Sequence, residues 1–70
     1  MDMRSLVGKN VKRTRLALRM TQEDLAAKSG LSQQYISDLE RGLRNPTVVT
    51  LFELAVALAC SPAHLISEPQ

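Results

Sequence analysis

Four polar side chains lie close together between positions 33 and 38, and each can form directional hydrogen bonds: Gln33, Gln34, Ser37 and Asp38. A glutamine amide carries a donor and an acceptor that match N7 and N6 of adenine, so Gln33 and Gln34 are the leading candidates for reading bases. Asp38 can accept a hydrogen bond from N4 of cytosine, and Ser37 can reach either a base or a phosphate. The alternative interpretation is that all four are ordinary polar surface residues.

Side chains suited to phosphate surround this segment. Residues 1–19 contain six basic residues against the single acid Asp2, within a chain of net charge +2. Such a segment fits either a polyanionic partner or a solvated helix face. The candidates for phosphate contact, which would supply affinity without sequence information, are Gln22, Ser32, Arg41, Arg44 and Asn45, with Lys9, Lys12 and Arg4 as looser candidates.

The sequence offers little for catalysis or for binding a cofactor or metal. It shows no set of nucleophile, histidine and carboxylate, no phosphate-binding loop and no paired metal ligands. His64 has no second ligand nearby in sequence, and Cys60 is the only cysteine, so one chain can form neither a disulfide nor a thiolate metal cage. We therefore expect no enzyme, no cofactor and no metal.

The length of 70 residues predicts one domain, residues 1–70, with a core from about 5 to 66. Tyr35 and Phe52 are the only aromatic residues, so the core is expected to be aliphatic. No signal peptide is recognisable, and the longest apolar run, residues 54–60, is too short to cross a bilayer. These features predict a cytoplasmic location without membrane attachment.

Capping residues and hydrophobic spacing divide the chain into helices without strands. Five helices are predicted, over about residues 5–18, 21–30, 32–42 and 48–58 and in a short segment after Ser61. The inner stripe of the first is predicted to be Val7, Val11, Thr14 and Leu18. Thr21 and Asp24 have the spacing of a capping box at the second helix, and Gly30 suits the left-handed turn after it. At about 100° per residue, the third helix has Tyr35, Ile36 and Leu39 on one side and the polar candidates, with Arg41, on the other.

Four short segments have the spacing of a known family: MTQEDLA (residues 20–26), SGLS (29–32), ISDLERG (36–42) and NPT (45–47). On these residues the chain resembles the Cro/phage-repressor (XRE) family of helix-turn-helix proteins, from about Leu6 to Ile66. The resemblance implies an all-α, lambda-repressor-like, compact five-helix bundle whose third helix lies in the major groove of double-stranded DNA. It also implies a partly buried ion pair between Arg15 and Glu40. Arg19 and Ala59 stand where relatives often have glycine at helix ends.

The same resemblance implies a transcriptional regulator, more often a repressor than an activator. Restriction–modification controller proteins, which can both activate and repress, are a closely similar variety. The alternative is a protein-binding module, such as an antitoxin that holds a toxin on its fourth helix. Self-association together with DNA binding would favour the regulator, whereas co-purification of a second protein would favour the module.

The predicted fourth helix is apolar nearly all round. Its inward face is expected to comprise Val48, Leu51, Leu54, Ala55 and Leu58. Val49 and Val56 are seven residues apart and form an outer stripe with Phe52 on its shoulder, and an apolar outer stripe usually has a partner. We expect a homodimer through this stripe with Leu65 or Ile66 contributing, bound to a palindromic operator; the alternative is a few scattered surface valines.

Overall fold

The computed structural model describes residues 2–68, and over that range the chain is helical with no strand. The helices are α1 (Met3–Ala17), α2 (Gln22–Ser29), α3 (Gln33–Glu40), α4 (Val48–Ala57) and α5 (Pro62–Ile66). The predicted all-α, five-helix architecture is therefore confirmed. The predicted domain also included Met1, Pro69 and Gln70, which lie outside the described residues. Between residues 2 and 68 no helix is long and apolar enough to span a lipid bilayer.

Local capping chemistry explains where each helix begins. The Thr21 hydroxyl accepts from the Asp24 N–H at 3.0 Å, and the Asp24 carboxylate accepts from the Thr21 N–H at 2.9 Å, so the predicted capping box is present. Three more helices are capped in a similar way: the hydroxyl oxygens of Ser32 in α3, Thr47 in α4 and Ser61 in α5 each accept from a backbone N–H in the first turn. The first helix begins at Met3, earlier than predicted, because the Asp2 carboxylate accepts from the Arg4 N–H at 3.0 Å. Each cap pairs amides that a helix start leaves free.

Four helices, α1 to α4, end in a left-handed turn, and three of these ends share one hydrogen-bond pattern. After α3, Gly42 has φ +79°, the Gly42 N–H donates to Leu39 O at 3.0 Å and the Leu43 N–H to Asp38 O at 2.9 Å. This pair of bonds is a Schellman motif. The ends of α1 and α4 repeat it around Arg19 (φ 57°) and Ala59 (φ 54°), as expected for positions where the related family has glycine.

The left-handed turn at Ala59 makes a stabilising substitution predictable. A non-glycine residue in this conformation costs about 1–2 kcal/mol, while glycine returns roughly 0.4–1 kcal/mol of that by loosening the unfolded chain. Ala59→Gly is therefore expected to raise the free energy of unfolding by about 0.5–1 kcal/mol, measured by urea denaturation. The matched control is Ala27→Gly, an exposed position inside α2, which should lower stability by about 1 kcal/mol. Equal effects of the two substitutions would contradict the strain at Ala59.

The core is aliphatic, as predicted, and draws residues from every helix. Its buried members are Val7, Val11, Met20, Leu25, Ile36, Leu39, Leu54, Ala55, Leu58 and Leu65. For two residues the predicted inward position is wrong. Leu18 is 48% exposed because it follows the last turn of α1, and Val48 is 83% exposed at the first position of α4. Helical periodicity gives the direction of a side chain but not where the neighbouring helix ends.

Two residues of α1 that the sequence analysis did not single out fix the position of that helix. A methyl group on Gly8 would overlap the carbonyl oxygen of Leu39 and lie 3.0 Å from that of Glu40, so glycine permits α1 to pack closely against the end of α3. Asn10 is 3% exposed and donates to the Leu65 and Ser67 carbonyls at 2.9 and 2.8 Å. It thereby pairs carbonyls at the end of α5 that burial would otherwise leave without partners.

Candidate nucleic-acid interface

The α2–turn–α3 unit holds its second helix rigidly against the domain. Gly30 has φ +78° and donates its N–H to Ala26 O at 3.0 Å, which closes α2 and redirects the chain. Leu25 from α2 and Ile36 from α3 are both fully buried in the shared core. The direction of α3 is therefore set by the core and by the left-handed turn.

The outer face of α3 is open. We use this name for Gln33, Gln34, Ser37, Asp38 and Arg41. The two glutamines and Arg41 are exposed, and Ser37 and Asp38 are half-buried. The opposite side of the same helix is inserted in the core, where Ile36 and Leu39 are inaccessible to solvent. The outer face is therefore available to a ligand as large as a nucleic acid duplex.

Asp38 lies at the centre of a hydrogen-bonded network on this face. Its Oδ1 accepts from Gln34 Nε2 at 2.9 Å and from Arg41 Nη2 at 2.7 Å, and its Oδ2 lies 3.6 Å from Arg44 Nη2. The Arg41 hydrogen bond, aided by that from Gln34, holds the pKa of the Asp38 carboxyl below its usual range. The group is thus ionised on the face that sequence analysis proposed for DNA.

Basic and polar groups flank the outer face beyond α3. The Arg44 guanidinium lies over the Tyr35 ring, 5.2 Å from its centroid, a distance suited to a cation–π interaction. Asn45 is exposed in the same loop, and Lys9 and Lys12 are exposed on α1. The structure therefore leaves these predicted phosphate-binding side chains accessible.

The ion pair that the family resemblance implies joins α1 to α3. Arg15 Nε and Nη2 donate to the two Glu40 carboxylate oxygens at 2.7 and 2.9 Å, and the side chains are only 8% and 4% exposed. Arg15 Nη1 also donates to Met20 O at 2.8 Å. Hydrogen bonding to Glu40 raises the pKa of Arg15. This bidentate pair fixes the end of α3 relative to α1.

Besides Arg41 and Arg44, two further side chains predicted to bind phosphate have polar partners within the chain. Gln22 is half-buried, and its Nε2 donates to Glu40 Oε1 at 3.1 Å. The Ser32 hydroxyl accepts from the Tyr35 N–H at 3.0 Å. The Gln22 carbonyl oxygen cannot bind a phosphate oxygen, so a phosphate contact would use its second N–H. Ser32 retains its hydroxyl hydrogen as a donor.

A second exposed surface, apolar in character, lies on α4. Val49, Phe52 and Val56 are 67%, 59% and 63% exposed, and Ile66 of α5 is 44% exposed. We call these four side chains the α4–α5 stripe. The prediction that Leu65 also contributes to an interface is wrong, because Leu65 is fully buried in the core of its own domain and offers no surface.

The other two side chains considered for chemistry, His64 and Cys60, lie apart from the residues of the outer face of α3. His64 is exposed, with Nε2 3.2 Å from the Thr14 hydroxyl. Cys60 is half-buried against the core, as expected for a small apolar residue, and burial raises the pKa of its thiol.

Comparison with known proteins places these features in a wider context. The profile of the helix-turn-helix family matches residues 11–65. The HTH-type transcriptional regulator y4dJ of Sinorhizobium fredii is 58% identical over 67 residues, which cover 96% of this chain and 87% of that protein. The control protein C.SmaI of Serratia marcescens is 40% identical over 67 residues, covering 96% of this chain and 80% of that protein.

A solved complex is also similar. The restriction–modification controller protein C.Esp1396I, determined as a tetramer with its natural 35-base-pair operator, superimposes with a TM-score of 0.85 at 40% identity. The match covers 93% of this chain and 86% of that one. A protein of this fold thus assembles on operator DNA.

Proposed function

The chain belongs to the helix-turn-helix family of the Cro/phage-repressor (XRE) type, and from this premise we propose that it is a transcriptional regulator that reads operator DNA with the outer face of α3. The observation that carries the proposal is that face itself, an exposed polar surface on a helix whose other side is fully inserted in the core. An α-helix fits the major groove, and the polar side chains of this face can pair with base edges there. The protein would act in the cytoplasm on double-stranded DNA as a regulator, not as an enzyme.

Gln33 and Gln34 are the proposed base-reading residues. They are the first two residues of α3, and recognition helices of this type contact base edges with their N-terminal residues. Ser37 is the next residue on the same face. An amide that donates to N7 and accepts from N6 selects adenine, so we expect A·T pairs at the positions these glutamines contact.

Phosphate contacts would frame the reading helix. Arg41 and Arg44 follow the reading residues along the chain, Lys9 and Lys12 stand on α1, and Gln22 and Ser32 are at the starts of α2 and α3. These groups, with Asn45, place the helix in register and supply affinity that falls with salt. Their number is readable from the slope of log K against log salt, about 0.9 per phosphate on duplex DNA.

The α4–α5 stripe is the proposed contact between two copies of the chain. Val49, Phe52 and Val56 recur at helical spacing and are all exposed, an arrangement typical of an interaction surface, and C.Esp1396I is oligomeric on its operator. A two-fold dimer would place two copies of α3 roughly 34 Å apart, one helical turn of DNA, and so demand a palindromic site.

The test of the proposal is selection of bound sequences from random duplexes at two salt concentrations. We expect an inverted repeat containing A·T pairs in each half-site, with half-sites separated by a whole number of helical turns. Failure of the purified protein to prefer any duplex at low salt would overturn the proposal.

Removing either glutamine amide should separate base reading from general affinity. Gln33→Ala and Gln34→Ala are each expected to lower operator affinity by about 1–3 kcal/mol and to relax the preference at one base pair. Arg44→Ala, by contrast, should weaken binding to operator and scrambled duplexes alike and reduce the salt slope by about 0.9. Fluorescence anisotropy with both duplexes measures these effects. If both glutamine variants kept the operator affinity and the base preference of the unaltered protein, the assignment of base reading to Gln33 and Gln34 would be wrong.

A further inference from the structure

The Asp38 carboxylate is the least exposed charged group on the outer face of α3. Its side chain is 17% exposed, whereas those of Arg41 and Arg44 are 60% and 50% exposed. One oxygen, Oδ1, already accepts two hydrogen bonds, from Gln34 and Arg41. A carboxylate oxygen has about two acceptor sites, so Oδ1 has no acceptor site left for a cytosine amino group. Only Oδ2, which has Arg44 Nη2 at 3.6 Å, stays open to a base, so a direct base-reading role for Asp38 would have to use that oxygen.

The bond from Gln34 to Asp38 determines how the glutamine amide is arranged. Only the NH₂ end of an amide can donate to a carboxylate, so Asp38 selects one of the two flipped orientations of Gln34. One N–H is used, while the second N–H and the carbonyl oxygen stay unused by this bond. Those two groups are the ones that paired recognition of adenine requires. The contact therefore orders the reading group without consuming it.

The same carboxylate restrains two cations. Arg41 donates to Asp38 at 2.7 Å, and Arg44 approaches it at 3.6 Å while lying over Tyr35. A guanidinium held by a carboxylate has fewer donors for phosphate, and the negative charge itself repels the DNA backbone. Both effects act on every DNA sequence alike, so they lower affinity for operator and other DNA together, whereas the ordering of Gln34 helps only where its base pair is present.

We propose that Asp38 is a positioning residue that raises discrimination between operator and other DNA by orienting Gln34, while its charge weakens the phosphate contacts of Arg41 and Arg44 on every duplex. The proposal rests on the function proposed above and deepens it. It assigns specificity to a residue that touches no base: Asp38 lowers affinity for all DNA, and the ordered Gln34 regains affinity only where it finds its base pair.

Two substitutions separate the orienting role from the charge. Asp38→Ala removes both, so affinity for a scrambled duplex should rise by up to about tenfold at 0.1 M salt, because the freed Arg41 can donate fully to a phosphate, and the salt slope should be steeper by about 0.9. The base preference at the Gln34 position should also relax. Asp38→Asn keeps an oxygen that can accept from Gln34, so it should raise scrambled-duplex affinity while retaining the base preference.

The experiment measures binding of the full chain to its selected operator and to a scrambled duplex of equal length, at two salt concentrations. Circular dichroism melting establishes that each variant is folded, and Asp38→Asn keeps the test decisive if Asp38→Ala fails to fold. Combining Gln34→Ala with Asp38→Ala should relax the base preference no further than Gln34→Ala alone, since interacting residues are not additive.

Two results would overturn this proposal and leave DNA binding intact. One is an unchanged ratio of operator to scrambled affinity in both Asp38 variants. The other is loss of preference at a single C·G pair, which would make Asp38 a direct reader of cytosine. If the unaltered protein instead prefers no duplex at all, the proposed function itself fails, so the two failures are distinguishable.

Discussion

Glu40→Ala is expected to destabilise the domain by about 3–5 kcal/mol, because it leaves the buried Arg15 guanidinium without its carboxylate. Arg15 is 8% exposed and would retain only the bond to Met20 O. Small domains have about 5–15 kcal/mol of stability in total, and each kcal/mol shifts the melting temperature of a domain this size by about 4–8 °C. The variant should therefore melt tens of degrees lower, or be unfolded at room temperature, as followed by circular dichroism.

Two controls identify the cause of that loss. Replacing both partners by apolar residues, Arg15→Met with Glu40→Leu, should recover much of the stability, since no charge is then left buried. Arg4→Ala removes the exposed pair with Asp2, a 3.7 Å contact between side chains that are 55% and 53% exposed, and should leave the melting temperature nearly unchanged. A Glu40→Ala variant that melts like the unaltered protein would contradict the importance of the buried pair.

Helix starts were predictable from sequence because capping is local. Thr21 with Asp24, and likewise Ser32 and Thr47, satisfy amides within three residues of themselves. The turn at Gly30 follows the same reasoning, since glycine readily adopts positive φ. The all-α class and the order of the helices follow from such short-range chemistry together with the period of the apolar residues.

Packing between helices that are distant in the chain was harder to predict. The close contact of Gly8 with the Leu39 carbonyl depends on how α1 passes over the end of α3. The hydrogen bonds of Asn10 depend on α5 bringing its C-terminal carbonyls to α1. Both contacts join elements whose relative placement depends on the whole core. Gly8, three residues before the inward Val11, was the available signal, since glycine is used where a backbone approaches closely.

The candidate site likewise has one feature that the sequence predicts and another that it does not. The polar side of α3 was predictable from its period, because Ile36 and Leu39 had to point inward. Which of its polar groups bond to each other was not, since Asp38 has Gln34, Arg41 and Arg44 all within reach. The rotamers of these side chains and the conformation of the loop after α3 decide among these partners, and so decide how the proposed base-reading surface is ordered in the absence of DNA.

Val49→Glu combined with Val56→Glu is expected to give a folded monomer whose operator affinity falls by about 10²–10⁴-fold. Both valines are more than 60% exposed, so charged side chains there leave the core untouched. In a dimer, however, they would bring like charges together across the two-fold axis and remove apolar contact area. Each half-site then binds alone, and the loss equals the advantage of linked binding, about 10²–10⁴-fold. Sedimentation gives the mass, and anisotropy with operator and isolated half-site duplexes gives the affinities.

The matched control is Lys28→Glu, which lowers the net charge by the same two units at an exposed position on α2. It should leave the protein dimeric and weaken DNA binding only through general charge, equally for operator and scrambled duplexes. If the variant with Val49→Glu and Val56→Glu stayed dimeric, the dimer interface would have to lie outside the α4–α5 stripe. If the unaltered protein were monomeric both free and on DNA, the stripe would have to serve a different protein, as an antitoxin's binding surface does. The isolated half-site is the sharpest comparison: there the double variant should lose only the general charge effect that Lys28→Glu also shows, whereas on the full operator it should also lose the gain from the second half-site.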